Sequence, residues 1–353
     1  MKKINFSDLI FIPSNASILV ALNRMNEIKR KLLIVVDDER FLSVLSIGDI
    51  QRAILNQYAL IEPVRSVLRT NITVCRISDT TEYIKSKMLE QRTEYMPILD
   101  EKSNLVDLWY WEDVFGARMK RKDVSLNIPV VIMAGGQGTR LKPLTNVLPK
   151  PLLPIKEKTI IEDIMDKFAL VGCKDFYISV NYKSELMRFY LDNVKNSDYR
   201  IQYFEEEKPL GTAGSMYLLK DKINSTFFVT NCDILIDQEL EEIYNYHVSS
   251  KNLITIVSAL KNYKIPYGTI QTGENGKLLS LDEKPEYIMQ INTGMYILEP
   301  EVLQYIPDNE FFHITELINK IVENKLKVGV FPIPENSWQD IGTFDEYFRV
   351  LAD

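Results

Sequence analysis

The chain has 353 residues, of which 46% are hydrophobic and 26% charged, a balance typical of a soluble globular protein with two or three domains. It contains no run of 18 apolar residues and no secretory signal pattern, so we expect a cytoplasmic protein that does not span a membrane. The formal net charge of −7 argues against nucleic acid as a partner. Three scattered cysteines without CxxC spacing exclude a disulfide framework and a thiolate zinc site, and we expect them to be reduced and mostly buried.

Glycine usage divides the chain into two parts. Of 14 glycines, only Gly48 and Gly116 precede residue 123. The polar and basic residues 118–125 are predicted to form a linker. The sequence therefore predicts an N-terminal part over residues 1–117 and a catalytic domain over residues 126–353.

The N-terminal part contains a weak internal duplication with an offset of 63 to 65 residues. In each copy a helical spacing is followed by two strand-like runs, an acidic turn between them, and a second helix. This order resembles a tandem pair of CBS domains, with repeats over residues 1–60 and 61–117. The helical spacing covers residues 17–25 and recurs in the run that ends at Met88, and the strand-like runs cover residues 32–37 and 41–49, then 96–100 and 105–113.

The CBS resemblance implies a regulatory site for an adenine nucleotide at Ser46 and Asp49. The second repeat has Tyr110 and Asp113 at the corresponding positions, so the hydroxyl is displaced there. The alternative is that Asp49 and Asp113 cap the helices that follow them, because acidic residues are favoured at helix N-termini. Both interpretations stay open at this point.

A glycine-rich loop opens the second part of the chain. The continuous apolar run over residues 128–134 predicts a buried parallel strand, and the sequence GGQGTRL follows it at residues 135–141. Such a loop lets backbone amides approach a phosphate. Leu141 stands where a dinucleotide fingerprint needs glycine, and no P-loop pattern occurs. Arg140 and Lys150, the latter held between two prolines, supply two cations and point to a triphosphate.

The loop AGGQGTRL, together with LPKPLLP at residues 148–154, resembles the signature of the sugar-1-phosphate nucleotidyltransferases. The resemblance implies an α/β fold with a Rossmann-like doubly wound mixed sheet, and a reaction that releases pyrophosphate. It implies that Arg140 and Lys150 bind the phosphates and stabilise charge on the α-phosphorus. The nucleotide-binding residues that it implies are Ala134, Gly135, Gly136, Gly138, Thr139 and Arg140, with Pro209, Leu210, Gly211, Thr212 and Ala213 near the base.

The base is suggested by residues 207–214, EKPLGTAG, where small residues and amides allow a flat base to lie close to the chain. The same segment is also consistent with a helix N-terminus. This sequence is similar to the version in enzymes that use GTP, especially mannose-1-phosphate guanylyltransferases. We therefore expect GTP, and uridylyl or thymidylyl transfer is the alternative.

Two aspartates suggest a metal site. The strand-like run over residues 227–233 ends in Asp233, and WQDIGT at residues 338–343 contains Asp340. Either alone is more typical of a turn or cap, but Mg²⁺ is often held by one or two carboxylates plus substrate phosphates. The family resemblance implies Mg²⁺ at this pair, with Arg140, Lys150, Asp233 and Lys284 as the catalytic residues. The sugar-phosphate residues that it implies are Tyr267, Gly268, Glu283, Lys284, Asn292 and Thr293.

The pairing of a CBS part with a guanylyl-type domain resembles bacterial enzymes that activate sugars for surface or flagellar glycans. The sugar that this resemblance implies is glucosamine 1-phosphate, on the route to legionaminic acid, and mannose 1-phosphate is the alternative. The β-helix repeats of some relatives are missing after the catalytic part, so we expect no acyltransferase activity. An adenine-nucleotide sensor without transferase activity is the non-enzyme alternative. We expect a homodimer.

Overall fold

The computed structural model describes residues 5–6, 8–91, 93–115, 125–194 and 199–352. It divides into two units, and the first, Met1–Lys122, contains two copies of one pattern of strands and helices. In each copy the first two strands run parallel, and the third pairs antiparallel with the second. The elements are β1 (Phe11–Pro13), α1 (Ile18–Ile28), β2 (Leu32–Asp37), β3 (Arg40–Ser46) and α2 (Ile47–Leu55) in the first copy, and β4 (Cys75–Arg76), α3 (Thr81–Gln91), β5 (Tyr95–Leu99), β6 (Leu105–Tyr110) and α4 (Trp111–Phe115) in the second.

These matching sheets confirm the predicted order of helix, strand, strand and helix, with one correction. The runs predicted as strands over residues 41–49 and 105–113 end at Ser46 and Tyr110, and the residues after them open α2 and α4. At α2 the reason is a capping box: the Ser46 hydroxyl accepts from the Asp49 amide at 3.2 Å, and the Asp49 carboxylate accepts from the Ser46 amide at 2.8 Å.

The Asp49 carboxylate is buried and is held inside the unit from several sides. It pairs with Arg69 at 2.9 Å and also with Arg52, and its side chain is 1% exposed. These contacts agree with the interpretation that Asp49 caps the helix that follows it, α2. They leave the Asp49 carboxylate almost no surface for a ribose in this structure, and the ribose-binding role of Ser46 and Asp49 stays a prediction.

Replacing Asp49 with Ala is expected to lower the free energy of unfolding of the first unit by about 2 kcal/mol, because the cap is lost and two arginines lose their carboxylate. The measurement is urea unfolding of the full chain, in which the unfolding transition of the first unit is observed separately from that of the second. Asp113→Ala is the matched control, because Asp113 occupies the corresponding position in α4 and is exposed. Equal destabilisation by the two variants would contradict the role assigned to Asp49.

The second unit, Asp123–Asp353, has the alternation of strands and helices that the sequence predicts. Its helices are α5 (Leu144–Val147), α6 (Ile160–Ala169), α7 (Ser184–Asp192), α8 (Leu240–Ser250), α9 (Ile314–Glu323) and α10 (Phe344–Ala352). Its strands are β7 (Val130–Met133), β8 (Pro154–Ile155), β9 (Lys158–Thr159), β10 (Asp175–Val180), β11 (Arg200–Glu205), β12 (Phe227–Asn231), β13 (Ile234–Ile236), β14 (Ile254–Lys264), β15 (Thr269–Thr272), β16 (Leu278–Asp282), β17 (Glu286–Leu298), β18 (Val328–Pro334) and β19 (Trp338–Asp340).

A seven-stranded sheet in the order β11, β10, β7, β12, β17, β14, β18 forms the centre of this unit. Every neighbouring pair is parallel except the two that involve β17. Hydrophobic cores cover both faces: Val130 and Ile132 of β7 belong to one core, and Val131 belongs to the other. Burial on both faces explains the continuous apolar run that predicted this strand. The expected doubly wound mixed α/β sheet is confirmed.

The order of the sheet places a crevice beside β7. The chain passes from β7 to β10 on one side and later to β12 on the other, so the strand order reverses at β7. In open α/β sheets, ligands bind at the carboxyl ends of the strands where the order reverses. The glycine-rich loop follows β7, and Asp233 follows β12, so both lie at this crevice.

Several smaller expectations can be compared with the structure. All three cysteines are free and buried, as expected. The predicted helix over residues 160–171 is confirmed as α6, which a capping box of Thr159 and Glu162 begins, and Gly172 follows it at φ 83°. In the part of the chain that the structure describes, no helix has the length and apolar character needed to cross a membrane. The predicted linker over residues 118–125 lies, except for Ser125, outside the described residues.

Candidate active site

A cavity of about 460 Å³ opens at the carboxyl ends of β7, β10 and β12. Residues from segments far apart in the sequence form its walls, including Asn231 and Cys232 at the end of β12 and Phe311 before α9. The cavity therefore brings together two predicted groups, the phosphate-binding loop and part of the base-binding loop. The predicted site residues that line it are Gly135, Gly136, Gly138, Thr139, Arg140, Lys150, Pro209, Gly211, Thr212 and Asp233.

The glycine-rich loop is tied to the sheet by Ser179 of β10. The buried Ser179 hydroxyl accepts from the amides of Ala134 at 2.9 Å and Gly135 at 3.3 Å. These two amides are therefore occupied by Ser179 in this structure, and the nucleotide-binding roles of Ala134 and Gly135 stay predictions. Gly138 has φ 61°, and a Cβ there would lie 2.9 Å from the Thr145 side chain. Only glycine fits this turn.

Lys150 and Asp233 form an ion pair at the floor of the cavity. The Lys150 Nζ atom lies 2.5 Å from Asp233 Oδ2, and the side chains are 7% and 20% exposed. The ammonium group is thus held at the cavity by a carboxylate rather than by solvent. The neighbouring Cys232 is inert, because burial raises the pKa of its thiol to about 12 and keeps it protonated.

Asp340 lies next to Asp233 through a short two-stranded sheet. Asp340 of β19 pairs with Ile234 of β13, and the Ile341 amide donates to the Asp233 carbonyl at 2.8 Å. Burial raises the pKa of Asp340, and the Asp233 carboxylate raises it further. A Cβ at Gly342 would lie 2.8 Å from Asp340 Oδ1 and 3.0 Å from the Arg140 guanidinium, so glycine leaves room for both groups.

This pair of carboxylates fits a hard cation that substrate phosphates share. The repulsion that raises the pKa of Asp340 is relieved by a divalent cation, and carboxylate oxygens are the ligands that Mg²⁺ prefers. Within the described ranges, no group of three or more His, Cys, Asp or Glu side chains could hold a metal alone. Substrate oxygens would therefore complete the coordination.

The loop over residues 209–213, which the sequence predicts to lie near the base, differs from that prediction in how its amides are used. Leu210 and Ala213 are buried, and neither lines the cavity. The Leu210 amide donates to Glu206 Oε2 at 3.0 Å, and the Ala213 amide donates to the Phe312 carbonyl at 3.0 Å. These residues therefore anchor the loop, which corrects the expectation that their amides face a base. Pro209, Gly211 and Thr212 remain at the wall of the cavity.

Sequence reasoning missed Glu206. Its side chain is 7% exposed and lines the cavity, with Oε1 3.2 Å from the position that a Cβ on Gly135 would take. The Asn181 side-chain amide donates to the Glu206 backbone carbonyl at 2.7 Å and fixes this segment. Glu206 stands in a run of three glutamates, which is typical of a solvated surface. No signal in the sequence separates it from its exposed neighbour Glu207.

The six residues predicted to bind the sugar phosphate do not line this cavity. Tyr267, Gly268, Glu283 and Lys284 are exposed at the base of the hairpin formed by β15 and β16. A Cβ on Gly268 would lie 2.9 Å from Glu283 Oε2, so these two residues are neighbours. The structure therefore gathers these four residues at one place, next to the start of β17.

The other two members of this group, Asn292 and Thr293, lie on β17. The Asn292 side-chain amide donates to the Tyr296 hydroxyl at 2.8 Å. Thr293 is buried, and its hydroxyl donates to the Val257 carbonyl at 2.8 Å. The Thr293 hydroxyl therefore joins β17 to β14, which corrects the expectation that it binds the sugar. Asn292 is exposed and could still reach a ligand.

Comparison with protein families separates the two parts of the chain. Residues 129–353 match the model of the nucleotidyl transferase family, and residues 1–56 match the CBS domain. The chain belongs to the nucleotidyl transferase family. The family resemblance inferred from the glycine loop is thereby confirmed, and so is the CBS resemblance of the first repeat.

The names of individual relatives specify different nucleotides. A UTP–glucose-1-phosphate uridylyltransferase of Synechocystis is 30% identical over 240 residues, which cover 63% of this chain and 62% of that protein. Mannose-1-phosphate guanyltransferase 2 of Candida glabrata is 34% identical over 223 residues, 60% of each chain. The chain thus spans about 60% of the length of these curated relatives. The structure of HddC from Yersinia pseudotuberculosis has the same fold, with a TM-score of 0.50, 23% identity, and coverage of 64% of this chain and 98% of that chain.

Proposed function

We propose that this chain transfers a guanylyl group from GTP to a hexose 1-phosphate and releases pyrophosphate. The observation that carries the proposal is the meeting of Arg140, Lys150 and Asp233 at the wall of one cavity, next to Asp340. Membership of the nucleotidyl transferase family supports the reaction class. We propose glucosamine 1-phosphate as the acceptor, and mannose 1-phosphate as the alternative that the names of several relatives favour.

The reaction asks the protein for positioning and charge rather than for a covalent intermediate. An oxygen of the sugar phosphate attacks the α-phosphorus of GTP, a new P–O bond forms, and the bond to pyrophosphate breaks. The attacking oxygen is already ionised at neutral pH, so no general base is needed. Arg140 and the glycine loop hold the triphosphate. Lys150, which Asp233 holds at the floor of the cavity, stabilises negative charge on the α-phosphate.

Asp233 and Asp340 are the residues that would hold Mg²⁺, which supplies positive charge to phosphate oxygens when it is bound. In this arrangement Lys150 neutralises Asp233 until the substrates bring their own negative charge. Glu283 and Lys284 remain our proposed acceptor-binding residues. Their exposure is consistent with a sugar phosphate that enters from solvent.

Glu206 supports guanine as the base. A carboxylate is an acceptor only, and the Watson–Crick edge of guanine presents two adjacent donors, N1–H and the N2 amine. Uracil and thymine present one N–H between two carbonyl oxygens that a carboxylate repels, and adenine presents an acceptor at N1. Glu206 Oε2 already accepts from the Leu210 amide, so a mismatched edge would leave the other oxygen, Oε1, poorly paired at the buried cavity wall. The carboxylate therefore favours GTP over the other nucleotides.

Replacing Glu206 with Gln is expected to lower kcat/KM for GTP by about 30-fold and to raise kcat/KM for UTP, because an amide can donate to a uracil carbonyl. The measurement is the ratio of kcat/KM for the two nucleotides with one sugar phosphate. Glu207→Gln is the matched control, since Glu207 is exposed in the same run, and we expect no change in the ratio. An unchanged ratio for Glu206→Gln would show that this carboxylate does not read the base.

The proposed function is tested by incubating the protein with Mg²⁺, four NTPs and four sugar phosphates in all combinations. The sugars are the 1-phosphates of glucose, mannose, glucosamine and N-acetylglucosamine. Pyrophosphate release and product mass are measured. We expect a GDP-sugar to dominate, and its mass identifies the sugar. A dominant UDP- or dTDP-sugar would contradict the choice of GTP, and the absence of turnover in every combination would contradict the enzyme proposal.

Regulation by an adenine nucleotide in the first unit is a second candidate function. The match of residues 1–56 to the CBS domain favours it. The test is to add ATP, ADP and AMP to the transferase assay and to measure their binding by equilibrium dialysis. Binding with a change in turnover would support regulation, and no binding would leave assembly as the role of this unit. Light scattering in the same samples tests the proposed homodimer.

A further inference from the structure

Phe311 is an exposed aromatic ring on the wall of the nucleotide cavity. Its side chain is 60% exposed, whereas the ring of the next residue, Phe312, packs against the core beneath α9. The rings of Phe311 and His313 meet edge to face, with centroids 4.7 Å apart and an interplanar angle of 80°. The Phe311 ring is thus supported from one side by His313.

The backbone around Phe311 is fastened to the base-binding loop. The Phe312 amide donates to the Leu210 carbonyl at 2.9 Å, and the Phe312 carbonyl accepts from the amides of Ala213 and Gly214, each at 3.0 Å. The Ile314 amide donates to the Thr212 hydroxyl at 3.0 Å. The position of Phe311 relative to this loop is therefore set by hydrogen bonds at the residues that follow it.

The two segments are also too close for side chains on the loop. Gly211 has φ 80°, and a Cβ there would lie 2.7 Å from the Phe312 carbonyl oxygen. A Cβ on Gly214 would lie 2.5 Å from the Glu310 carbonyl oxygen. The close approach of the Phe311 segment explains both glycines. It also places the Phe311 ring beside the part of the cavity wall that this loop forms.

A planar apolar ring and a buried carboxylate on one cavity are complementary to a nucleobase. Ligand pockets combine apolar walls with a few placed polar groups, and aromatic rings stack on bases through their flat faces. Glu206 supplies the polar group for the edge of a base, and Phe311 supplies the flat apolar surface. Exposed phenylalanines elsewhere, such as Phe189 at 70%, do not line this cavity.

We propose that Phe311 stacks on the purine ring of the bound nucleotide and sets its affinity. This inference rests on the proposed function, because it places an NTP in the cavity. The ring contributes to binding the base and does not contact the reacting phosphates. Its loss should therefore weaken binding of nucleotides that carry a base and leave the chemical step unchanged.

The test compares Phe311→Ala with Phe311→Trp in the full-length protein. We expect the alanine variant to raise KM for GTP about tenfold with kcat within about twofold of wild type. We expect the tryptophan variant, which keeps a flat aromatic ring, to have a KM close to that of wild type. Inorganic triphosphate, which has no base, is the probe for a displaced loop, and its inhibition constant should stay unchanged. Phe189→Ala is the control for loss of an exposed phenylalanine.

Two results would overturn the inference. The first is an unchanged KM for GTP in Phe311→Ala, and the second is a parallel loss of affinity for GTP and for inorganic triphosphate. If the wild-type protein turns over ATP instead, the same comparison is made with ATP, whereas exclusive use of a pyrimidine nucleotide would overturn the purine contact. If wild type uses no NTP at all, the proposed function fails and takes the inference with it, an outcome that the wild-type assay alone identifies.

Discussion

Replacing Asp233 with Asn is expected to lower kcat/KM for nucleotidyl transfer by about 10³-fold. The side chain keeps its size but loses the charge that pairs with Lys150 at 2.5 Å and that faces Asp340. A carboxylate that both orients a lysine and helps to hold Mg²⁺ serves two functions, so its loss should affect both. The measurement is the rate of pyrophosphate release over a titration of Mg²⁺. We expect a lower plateau and a higher Mg²⁺ concentration at half-maximal rate.

Asp175→Asn is the matched control for this variant. Asp175 also forms an ion pair, with Arg200 at 2.5 Å. However, Asp175 is the first residue of β10, so it lies at the amino-terminal end of this strand, whereas the cavity lies at the carboxyl end. We expect its activity to stay within about twofold of wild type. Thermal unfolding of both variants separates loss of folded protein from loss of catalysis. An Asp233→Asn protein that is folded and keeps a tenth of the wild-type kcat/KM would refute the role assigned to this carboxylate.

Replacing Lys150 with Met is expected to lower kcat by about 10²-fold, because the α-phosphate loses a cation that is held in place before the substrate binds. The Mg²⁺ dependence should change in the direction opposite to that of Asp233→Asn. Removing the ammonium group leaves Asp233 and Asp340 with more uncompensated negative charge, so Mg²⁺ should bind more tightly. The measurement is the same Mg²⁺ titration, with kcat and the half-maximal concentration reported separately.

Lys220→Met is the control for the lysine variant. Lys220 pairs with Asp308 at 2.6 Å outside the cavity, and its side chain is 32% exposed. We expect wild-type kinetics from it. If Lys150→Met needed more Mg²⁺ rather than less, the lysine would act mainly by shaping the site, and the electrostatic account of the ion pair would be wrong.

Elements with strong local signals could be predicted from the sequence. The strand β7 is a continuous apolar run because both of its faces are buried, and α6 has a capping box at one end and Gly172 after the other. The antiparallel course of β17 could not be predicted, because strand direction depends on the connections. The strands β1 and β4 are three and two residues long, which is too short for a period to appear.

The candidate site could be predicted in part. Glycine spacing identified the loop before Arg140, since few other reasons exist for three glycines and a fixed cation together. Glu206 and Phe311 could not be found, because one stands in a charged run and the other reaches the cavity only through the fold. The acceptors that the amides of Ala134 and Leu210 meet, Ser179 and Glu206, could not be predicted for a related reason. Spacing shows where an amide stands but not which protein acceptor it meets.

The pairing of β13 with β19 has a consequence for biosynthesis. Asp233 and Asp340 are far apart in the sequence, so β19 is synthesised long after β13. During translation the ribosome must release β19 before β13 has a strand to pair with. Nascent chains that stop short of it carry the glycine loop and the lysine but only one of the two acidic groups. If both aspartates are needed, as we propose, turnover cannot begin until β19 has left the ribosome and paired with β13.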